Sequence, residues 1–110
     1  MVDLAGKKCV ACEGGLVPLT LQQAETMVQN IPGWELKDNA KKIYREYRFS
    51  NFKKSLAFVN RIGEIAEQEK HHPDIMVGWG YVNITIQTHA IQGLHENDFI
   101  LAAKINKLGE

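Results

Sequence analysis

The sequence has 110 residues and a mass of 12.4 kDa, with 45% hydrophobic and 24% charged residues. This length predicts one globular domain over residues 1–110 and leaves no room for a second. Thirteen basic and thirteen acidic side chains cancel, which argues against nucleic acid bound through its phosphates. No apolar run approaches the roughly 18 residues that cross a membrane, and we find no secretory signal, so we expect a cytoplasmic protein without a membrane partner.

Residues 1–18 contain glycine, proline and a lysine pair without a lasting period, which predicts a leader arm. Cys9 and Cys12 form a Cys-x-x-Cys pair within it. A zinc site needs about four ligands, and the sequence offers no second cysteine pair to complete one. A redox motif would stand where a strand meets a helix, and the arm predicts neither. We therefore expect two reduced thiols, with a metal or redox role as the alternative.

The first predicted helix begins after Thr20, which is followed three residues later by Gln in a capping-box pattern. Its apolar residues repeat at helical spacing as far as Val28, and an Ile-Pro-Gly sequence ends it. Two strands follow, one at Trp34–Leu36 and one over Ile43–Phe49, with an Asp-Asn turn between them. Arg45 interrupts the apolar side of the second strand. Together the two strands predict a hairpin.

Ser50 is predicted to cap a long helix that runs to about Lys70. A proline at position 73 disfavours helical dihedrals at the residue before it and should end this helix. The inward side is predicted from residues that recur every three or four positions. These residues are Phe52, Leu56, Val59, Ile62 or Gly63, and Ala66.

A second hairpin and a closing helix complete the prediction. The strands are Ile75–Val77 and Val82–Thr88, with a turn near Trp79. In the last strand Val82, Ile84 and Ile86 face one way, while Asn83, Thr85, Gln87 and His89 face the other. The closing helix covers Leu94–Leu108, with Asp98 near its first turn. Its predicted inward residues are Phe99, Ala102, Ala103 and Ile105.

The order helix, hairpin, helix, hairpin, helix predicts an α+β, two-layer domain. It has a four-stranded antiparallel sheet with three helices on one face. The other face of the sheet stays wet or meets another subunit. Tyr44, Asn83, Thr85 and Gln87 are polar residues suited to such a contact, and open edges can pair between copies. We therefore expect a homo-oligomer, at least a dimer.

All four histidines fall within residues 71–95, at the ends of predicted elements. His71 and His72 lie where the long helix ends, and His89 follows the last strand. Element ends that point the same way can build a cleft, and imidazoles supply both an acid and a base near neutral pH. On a continuing helix, Glu67 would lie four residues from His71, where it can orient that ring or face a ligand.

Each of these residues also has a purely structural interpretation. Adjacent histidines occur by chance in turns, Asp98 could only complement a helix dipole, and His95 is typical of a surface or helix-starting position. Trp34 and Trp79 could pack in the core or stack on a ligand. The adjacent histidines make a poor chelating pair, because neighbouring side chains point apart. We therefore expect no metal.

One string of residues is specific to a known family. It reads Glu67-x-x-x-His71-His72-Pro73, then aromatic Trp79, Thr88-His89 and Gly93-Leu94-x-x-x-Asp98. This string resembles the pterin-4a-carbinolamine dehydratase family, and the resemblance extends from Pro18-Leu19-Thr20 through Gly33-Trp34 to the last helix. It implies an α+β domain that assembles as a homodimer or homotetramer. The animal member doubles as a dimerisation cofactor of a homeodomain transcription factor.

The resemblance implies an enzyme, a hydro-lyase that removes water from 4a-hydroxytetrahydropterin to give quinonoid dihydropterin. This reaction recycles tetrahydrobiopterin, the cofactor of aromatic amino acid hydroxylases. By the same resemblance, His71, His72 and His89 are catalytic. The implied pterin-binding residues are Glu67, His71, His72, Pro73, Thr88, His89, Ala90, Ile91, Asp98 and Trp34. Dehydrating a carbinolamine requires proton transfers alone, so we expect no metal or organic cofactor.

Three positions depart from the animal enzymes. Asn97 replaces a basic residue, Ile91 replaces a cysteine, and His95 replaces the capping serine of the last helix. All three leave the acids and bases in place and could alter affinity for the pterin side chain.

A different class of function is the alternative on this fold. Some relatives act as assembly factors for a large carboxylating enzyme or as transcription coactivators, without dehydratase chemistry. A hydroxylase or another protein could likewise be a partner of this chain. A pure scaffold has no reason to keep three histidines and Asp98 together, which favours catalysis.

Overall fold

The architecture is the predicted α+β domain, as seen in a computed structural model that describes residues 3–9 and 17–109. The helices are α1 (Leu21–Val28), α2 (Phe52–Glu69) and α3 (Glu96–Leu108). The strands are β1 (Glu35–Lys37), β2 (Lys42–Arg48), β3 (Asp74–Gly78) and β4 (Tyr81–Ile86). They form one sheet in the order β1-β2-β4-β3, and each neighbouring pair is antiparallel. Within the described ranges, no helix is long and apolar enough to cross a membrane.

The hydrophobic core lies between the sheet and the helices. Val82, Ile84 and Ile86 of β4 are fully buried, which confirms the predicted alternation. Ile43 of β2 is also fully buried and lies opposite Ile86. Helix α3 is apolar on more than one side and is the central helix of the layer. Its buried apolar residues are Phe99, Ile100, Leu101, Ala102 and Ile105.

Of the two N-cap residues predicted for α1 and α2, one is confirmed and the other is wrong. Thr20 caps α1 as predicted, because its hydroxyl accepts from the Gln23 N–H while the Gln23 side chain accepts from the Thr20 N–H. The predicted cap of α2 at Ser50 is wrong by one residue. Asn51 is the N-cap, and its side chain accepts a hydrogen bond from the Lys54 N–H at 2.9 Å.

The predicted inward face of α2 is also wrong in part. Phe52 and Leu56 are 45% and 42% exposed. The buried positions are Ser55, Phe58, Ile62 and Ala66. Phe58 decides the orientation, because its ring packs against the rings of Tyr47 and Phe49, with centroids 4.6 and 5.2 Å away. Both sets of residues follow the helical period, so only packing against β2 distinguishes them.

Several element ends are earlier or later than predicted. Helix α2 ends at Glu69, and Lys70 adopts a left-handed conformation with φ 54° and ψ 38°. Strand β4 ends at Ile86, short of Thr88, and a short 3-10 helix follows at His89–Ile91. Helix α3 begins at Glu96, after its N-cap His95, and not at Leu94.

The described part of the leader packs against the helices and does not extend as an arm. Leu4 is 2% exposed and belongs to the core. Lys104 Nζ donates to the Ala5 carbonyl at 2.8 Å, and the Cys9 N–H donates to Glu69 Oε1 at 2.8 Å. This segment therefore ties α2 and α3 together. Cys12 lies outside the described residues.

Candidate active site

His71 and Asp98 form the buried centre of the site. His71 Nε2 lies 2.6 Å from Asp98 Oδ1, and these side chains are 11% and 0% exposed. The other oxygen, Asp98 Oδ2, accepts from Thr88 Oγ1 and from the His95 N–H, each at 2.8 Å. An ionised carboxylate only accepts hydrogen bonds, so His71 donates its Nε2–H to it. The Nδ1 atom of His71 is then the nitrogen that can serve a substrate.

The start of α3 holds Asp98 in this position. Asp98 is the third residue of the helix, and its carboxylate reaches back to the N-cap N–H in a capping box. His95 completes the cap, because its Nδ1 accepts from the Asn97 N–H at 3.2 Å. The positive end of the helix dipole favours a carboxylate here. The Asp98 carboxylate therefore interacts favourably with the helix dipole and also contacts His71.

His72 pairs with Glu67 at the surface. Its Nε2 lies 2.5 Å from Glu67 Oε2, and these side chains are 60% and 78% exposed. The sequence predicted Glu67 beside His71 on a continuing helix, and that pairing is wrong. Lys70 takes the chain out of the helix before the histidines, which brings the second histidine to Glu67 in place of the first.

His89 has an acidic neighbour that the sequence analysis missed. Its Nε2 lies 3.8 Å from Asp74 Oδ2, and the two side chains are 67% and 70% exposed. The Gln87 amide lies 3.3 Å from the other ring nitrogen. Asp74 directly follows Pro73, the last residue of the Glu67-x-x-x-His71-His72-Pro73 motif. This adjacency is the sequence signal that could have identified Asp74 as a site residue.

Residues 71–74 therefore connect the parts of the site. His71 reaches the start of α3, and Asp74 reaches the 3-10 helix after β4. Among the other predicted binding residues, Thr88 and Ile91 are buried, Pro73 is half-buried and Ala90 is exposed. Each predicted catalytic histidine has a carboxylate near one ring nitrogen.

Trp34, the remaining predicted site residue, lies elsewhere in the molecule. It is 6% exposed, and its Nε1–H donates to Asn106 Oδ1 at 2.8 Å. Asn106 is eight residues beyond Asp98 on α3, a distance of about 12 Å along the helix axis. Trp34 is thus a packing residue. Trp79 is 72% exposed in the β3–β4 turn, so the packing interpretation does not apply to it.

The Cys9 thiol is half-buried and contacts Glu69 and Asn97. Burial, with a further contribution from the Glu69 carboxylate, raises the pKa of the Cys9 thiol to about 12. Its Sγ donates to the Asn97 carbonyl at 3.6 Å. The thiol stays protonated near neutral pH, and a thiolate is the form that reacts or binds metal. Within residues 3–9 and 17–109, no group of three or more His, Cys, Asp and Glu side chains could hold a metal ion.

The arrangement suits general acid–base chemistry. One imidazole is fixed by a buried carboxylate, and two more are open to solvent. Neutral imidazole accepts a proton and imidazolium donates one, so three rings supply both activities near neutral pH.

Comparison with known sequences agrees with the family resemblance of the sequence motif. The sequence model of a family described as pterin 4 alpha carbinolamine dehydratase matches residues 17–108. The chain is 55% identical over 108 residues to a relative from Halorhodospira halophila, covering 98% of this chain and 99% of the relative. It is 52% identical over 106 residues to one from Methylococcus capsulatus, covering 96% and 93%. Both relatives are provisionally named pterin-4-alpha-carbinolamine dehydratase.

Two solved structures share the fold. A transcriptional coactivator/pterin dehydratase from Brucella melitensis superposes with a TM-score of 0.79 and 27% identity, over 84% of this chain and 99% of that one. A pterin dehydratase-like protein identified as a RuBisCO assembly factor in the alpha-carboxysome gives 0.60 at 23% identity, over 69% and 88%. The second likeness, at this identity, concerns the fold alone.

Proposed function

The chain belongs to the pterin-4a-carbinolamine dehydratase family, and from this we propose that it removes water from a 4a-hydroxytetrahydropterin to give the quinonoid dihydropterin. Such a reaction returns tetrahydrobiopterin to its cycle after an aromatic hydroxylation. The observation that carries the proposal is the association of three histidines with three carboxylates around residues 71–74.

The proposed chemistry is a proton-assisted elimination. The lone pair of the ring nitrogen forms a C=N bond as the bond from carbon to the hydroxyl oxygen breaks. An imidazolium delivers a proton to the departing hydroxyl, which leaves as water, and a neutral imidazole takes the proton from the ring nitrogen. Each positioned acid or base contributes a factor of roughly 10²–10⁴ in rate.

The three histidines have different roles in this proposal. His71 is the positioned group, because Asp98 fixes its ring and leaves Nδ1 for the pterin. His72 and His89 are more than half exposed, so they exchange protons with water between turnovers. The Glu67 carboxylate lies beside the His72 ring, and the Asp74 carboxylate lies beside the His89 ring.

The remaining binding residues divide by accessibility. Glu67 and Ala90 are exposed and Pro73 is half-buried, so these three can contact the pterin directly. The Thr88 hydroxyl and the Asp98 carboxylate are bonded to each other, so they support the site from beneath. Ile91 is 8% exposed and forms part of its floor. Trp34 supports α3 through Asn106, and we assign it no contact with the substrate in this proposal.

Stopped-flow measurement of carbinolamine decay tests the proposal. We expect the purified protein to accelerate decay, and the double variant His71→Gln with His89→Ala to return the rate constant to the uncatalysed value. Glutamine at position 71 keeps a donor for the buried Asp98, so the melting temperature should change little. An unchanged rate in a folded double variant would refute the proposal.

A binding function without catalysis is the competing outcome of the same experiment. If the unaltered protein leaves carbinolamine decay unaffected and a pull-down recovers one partner in stoichiometric amount, the histidines are not a dehydratase site. The likeness to the carboxysome protein does not favour this function, because it extends to the fold alone.

A further inference from the structure

A second site lies toward the other end of α3 from the histidines. A cavity of about 660 Å³ opens there, and the residues that matter to its chemistry are Pro32, Gly33, Arg45, Tyr47, Asn106 and Lys107. None of its lining residues is a histidine, and Asp98 is not among them. Cavities of roughly 300–1,000 Å³ hold small organic ligands. The size of the cavity therefore allows a ligand, and its chemistry depends on the charged groups.

Arg45 is the charged group whose contacts define this cavity. Its Nη1 donates to the Pro32 carbonyl at 2.9 Å and to Asn106 Oδ1 at 2.6 Å, and both acceptors are neutral. The guanidinium carbon lies 4.2 Å from the centre of the Tyr47 ring. Across residues 3–9 and 17–109, Arg45 forms no salt bridge. Its Nε and Nη2 atoms have no acceptor there, so three N–H donors remain for a ligand.

The surrounding structure fixes the position of the guanidinium. Gly33 has φ 90°, and a Cβ at this position would stand 2.6 Å from Arg45 Cζ. Asn106 Oδ1 also accepts hydrogen bonds from Trp34 Nε1 at 2.8 Å and from Tyr47 Oη at 3.2 Å. Arg45 is thereby held in one orientation before any ligand arrives, which lowers the entropy cost of binding.

The charges that line the cavity favour an anion. Among the described residues that line it, Arg45 and Lys107 are basic and Asp3 alone is acidic. A guanidinium with free Nε and Nη2 atoms presents two parallel N–H donors, the geometry that matches a carboxylate or phosphate group. A neutral ligand could accept from these donors but would leave the guanidinium charge unbalanced, and a cationic ligand would be repelled by it.

We propose that this cavity is a second binding site, which takes a small molecule carrying a carboxylate or phosphate group on Arg45 Nε and Nη2. The two anions share one recognition chemistry, and the experiment distinguishes them. The site lies apart from the histidines and does not depend on the proposed dehydratase activity.

The two tryptophans make the proposal measurable by nuclear magnetic resonance. The Trp34 indole N–H bonds the same oxygen as Arg45, whereas Trp79 is 72% exposed in a distant turn. We expect titration with benzoate or with inorganic phosphate to shift the Trp34 indole signal saturably and to leave the Trp79 signal in place. Saturation by one probe alone identifies the preferred anion. No shift of Trp34 with either probe overturns the proposal.

Two substitutions assign the binding to Arg45. Arg45→Gln should weaken it about tenfold or more, because a charge-assisted bidentate contact is lost. Arg48→Gln is the matched control on the same strand and should bind unchanged, since Arg48 is 74% exposed and pairs with Glu46. Equal affinity for Arg45→Gln and the unaltered protein, or equal losses in both arginine variants, overturns the proposal.

A second variant keeps Arg45 and gives it a carboxylate partner from within the protein. Asn106→Asp places a carboxylate where the amide oxygen now lies 2.6 Å from Arg45 Nη1. This internal anion should abolish the saturable shift of Trp34, and the melting temperature shows that the variant is folded. A folded variant that binds either probe as tightly as the unaltered protein contradicts the proposal.

Discussion

Asp98 links folding to chemistry through one carboxylate. It closes the capping box at the start of α3 and accepts a hydrogen bond from His71. It is fully buried, and its carboxylate accepts hydrogen bonds from His71, from Thr88 and from the His95 N–H, which belong to three different parts of the site. The position of His71 is therefore as rigid as the start of the central helix.

Replacing Asp98 should affect both activity and stability. For Asp98→Asn we expect the dehydration rate to fall by roughly 10²-fold or more, because an amide has one acceptor oxygen and cannot accept from both His71 and the Thr88 and His95 donors. We expect the free energy of unfolding to fall by about 1–3 kcal/mol, because buried hydrogen bonds to a charge are lost. Stopped-flow kinetics and urea denaturation measure the two effects.

Asp74→Asn is the control for Asp98. Its carboxylate is 70% exposed and 3.8 Å from His89, so the free energy of unfolding should stay within about 0.5 kcal/mol of the unaltered value. Equal losses of stability in the two variants would contradict the central position assigned to Asp98.

The Cys9 thiol should be unreactive in the folded protein. In a Cys12→Ser background, we expect alkylation by iodoacetamide at pH 8 to be about a thousandfold slower than in urea, because burial raises the pKa of the thiol from 9.0 to about 12. The neutral thiol is the form that the fold favours. The stabilisation that results from keeping this thiol neutral is therefore present below pH 9 and is lost as the pH rises toward 12. Equal alkylation rates in the folded and unfolded protein would contradict this prediction.

At the scale of elements, the left-handed residue Lys70 directs the two histidines. It ends α2 with φ 54°, and the His71 N–H then bonds to the Ala66 carbonyl at 3.2 Å. Without this turn, His71 would continue the helix and would face Glu67. A backbone conformation at one residue therefore determines which carboxylate each histidine meets.

Glycine at this position should stabilise the protein. For Lys70→Gly we expect the free energy of unfolding to rise by up to about 1 kcal/mol, because glycine adopts a left-handed helix end without strain. Ala57→Gly, at an exposed position inside the same helix, should lower it by about 1 kcal/mol. Urea denaturation measures both, and a loss of stability in Lys70→Gly would contradict the prediction.

The parts of the structure that the sequence predicted are those governed by local rules. The Thr20 capping box and the alternation in β4 depend on neighbouring residues, and both are confirmed. The inward face of α2 depends on Phe58 meeting the Tyr47 and Phe49 rings, which lie in and just after β2 and so outside the helix. Helical periodicity alone cannot choose between two faces that both carry apolar residues.

The candidate site could also be predicted from the sequence only where local rules determine it. Asp98 near the first turn of α3 follows from capping chemistry and could be predicted. The pairs His72–Glu67 and His89–Asp74 could not, because one depends on the turn at Lys70 and the other on the path of the chain after β4, where a 3-10 helix follows. Spacing along the sequence gives no distance between such groups.

At the scale of the whole molecule, one face of the sheet has features of an interface. Asn83 Oδ1 is buried and, among the described residues and their contacts, accepts no hydrogen bond. Met76, its neighbour on edge strand β3, is 63% exposed, and Trp79 at the end of the same strand is 72% exposed. A second subunit could cover both apolar side chains, as the polar pattern of β4 led us to expect.

We predict a homo-oligomer, at least a dimer, in sedimentation equilibrium at micromolar concentration. Met76→Lys should shift the equilibrium toward the monomer, because a charge on an edge strand opposes pairing. Removal of the charge at the exposed Lys41 by Lys41→Gln, in the β1–β2 turn and away from β3, should leave the mass of the assembly unchanged. A species of 12.4 kDa alone would contradict the prediction.

The packing of residues 3–9 against α2 and α3 also bears on the order of folding. The hydrogen bonds from this segment to α2 and α3 join residues 60 to 99 positions apart, whereas the capping boxes join residues three apart. Closing so long a loop costs entropy that local contacts do not, so such contacts form late. We therefore expect the sheet and α3 to assemble in the transition state and the leader to dock afterwards. Leu4 then slows the opening of the folded molecule and contributes little to the speed at which it forms.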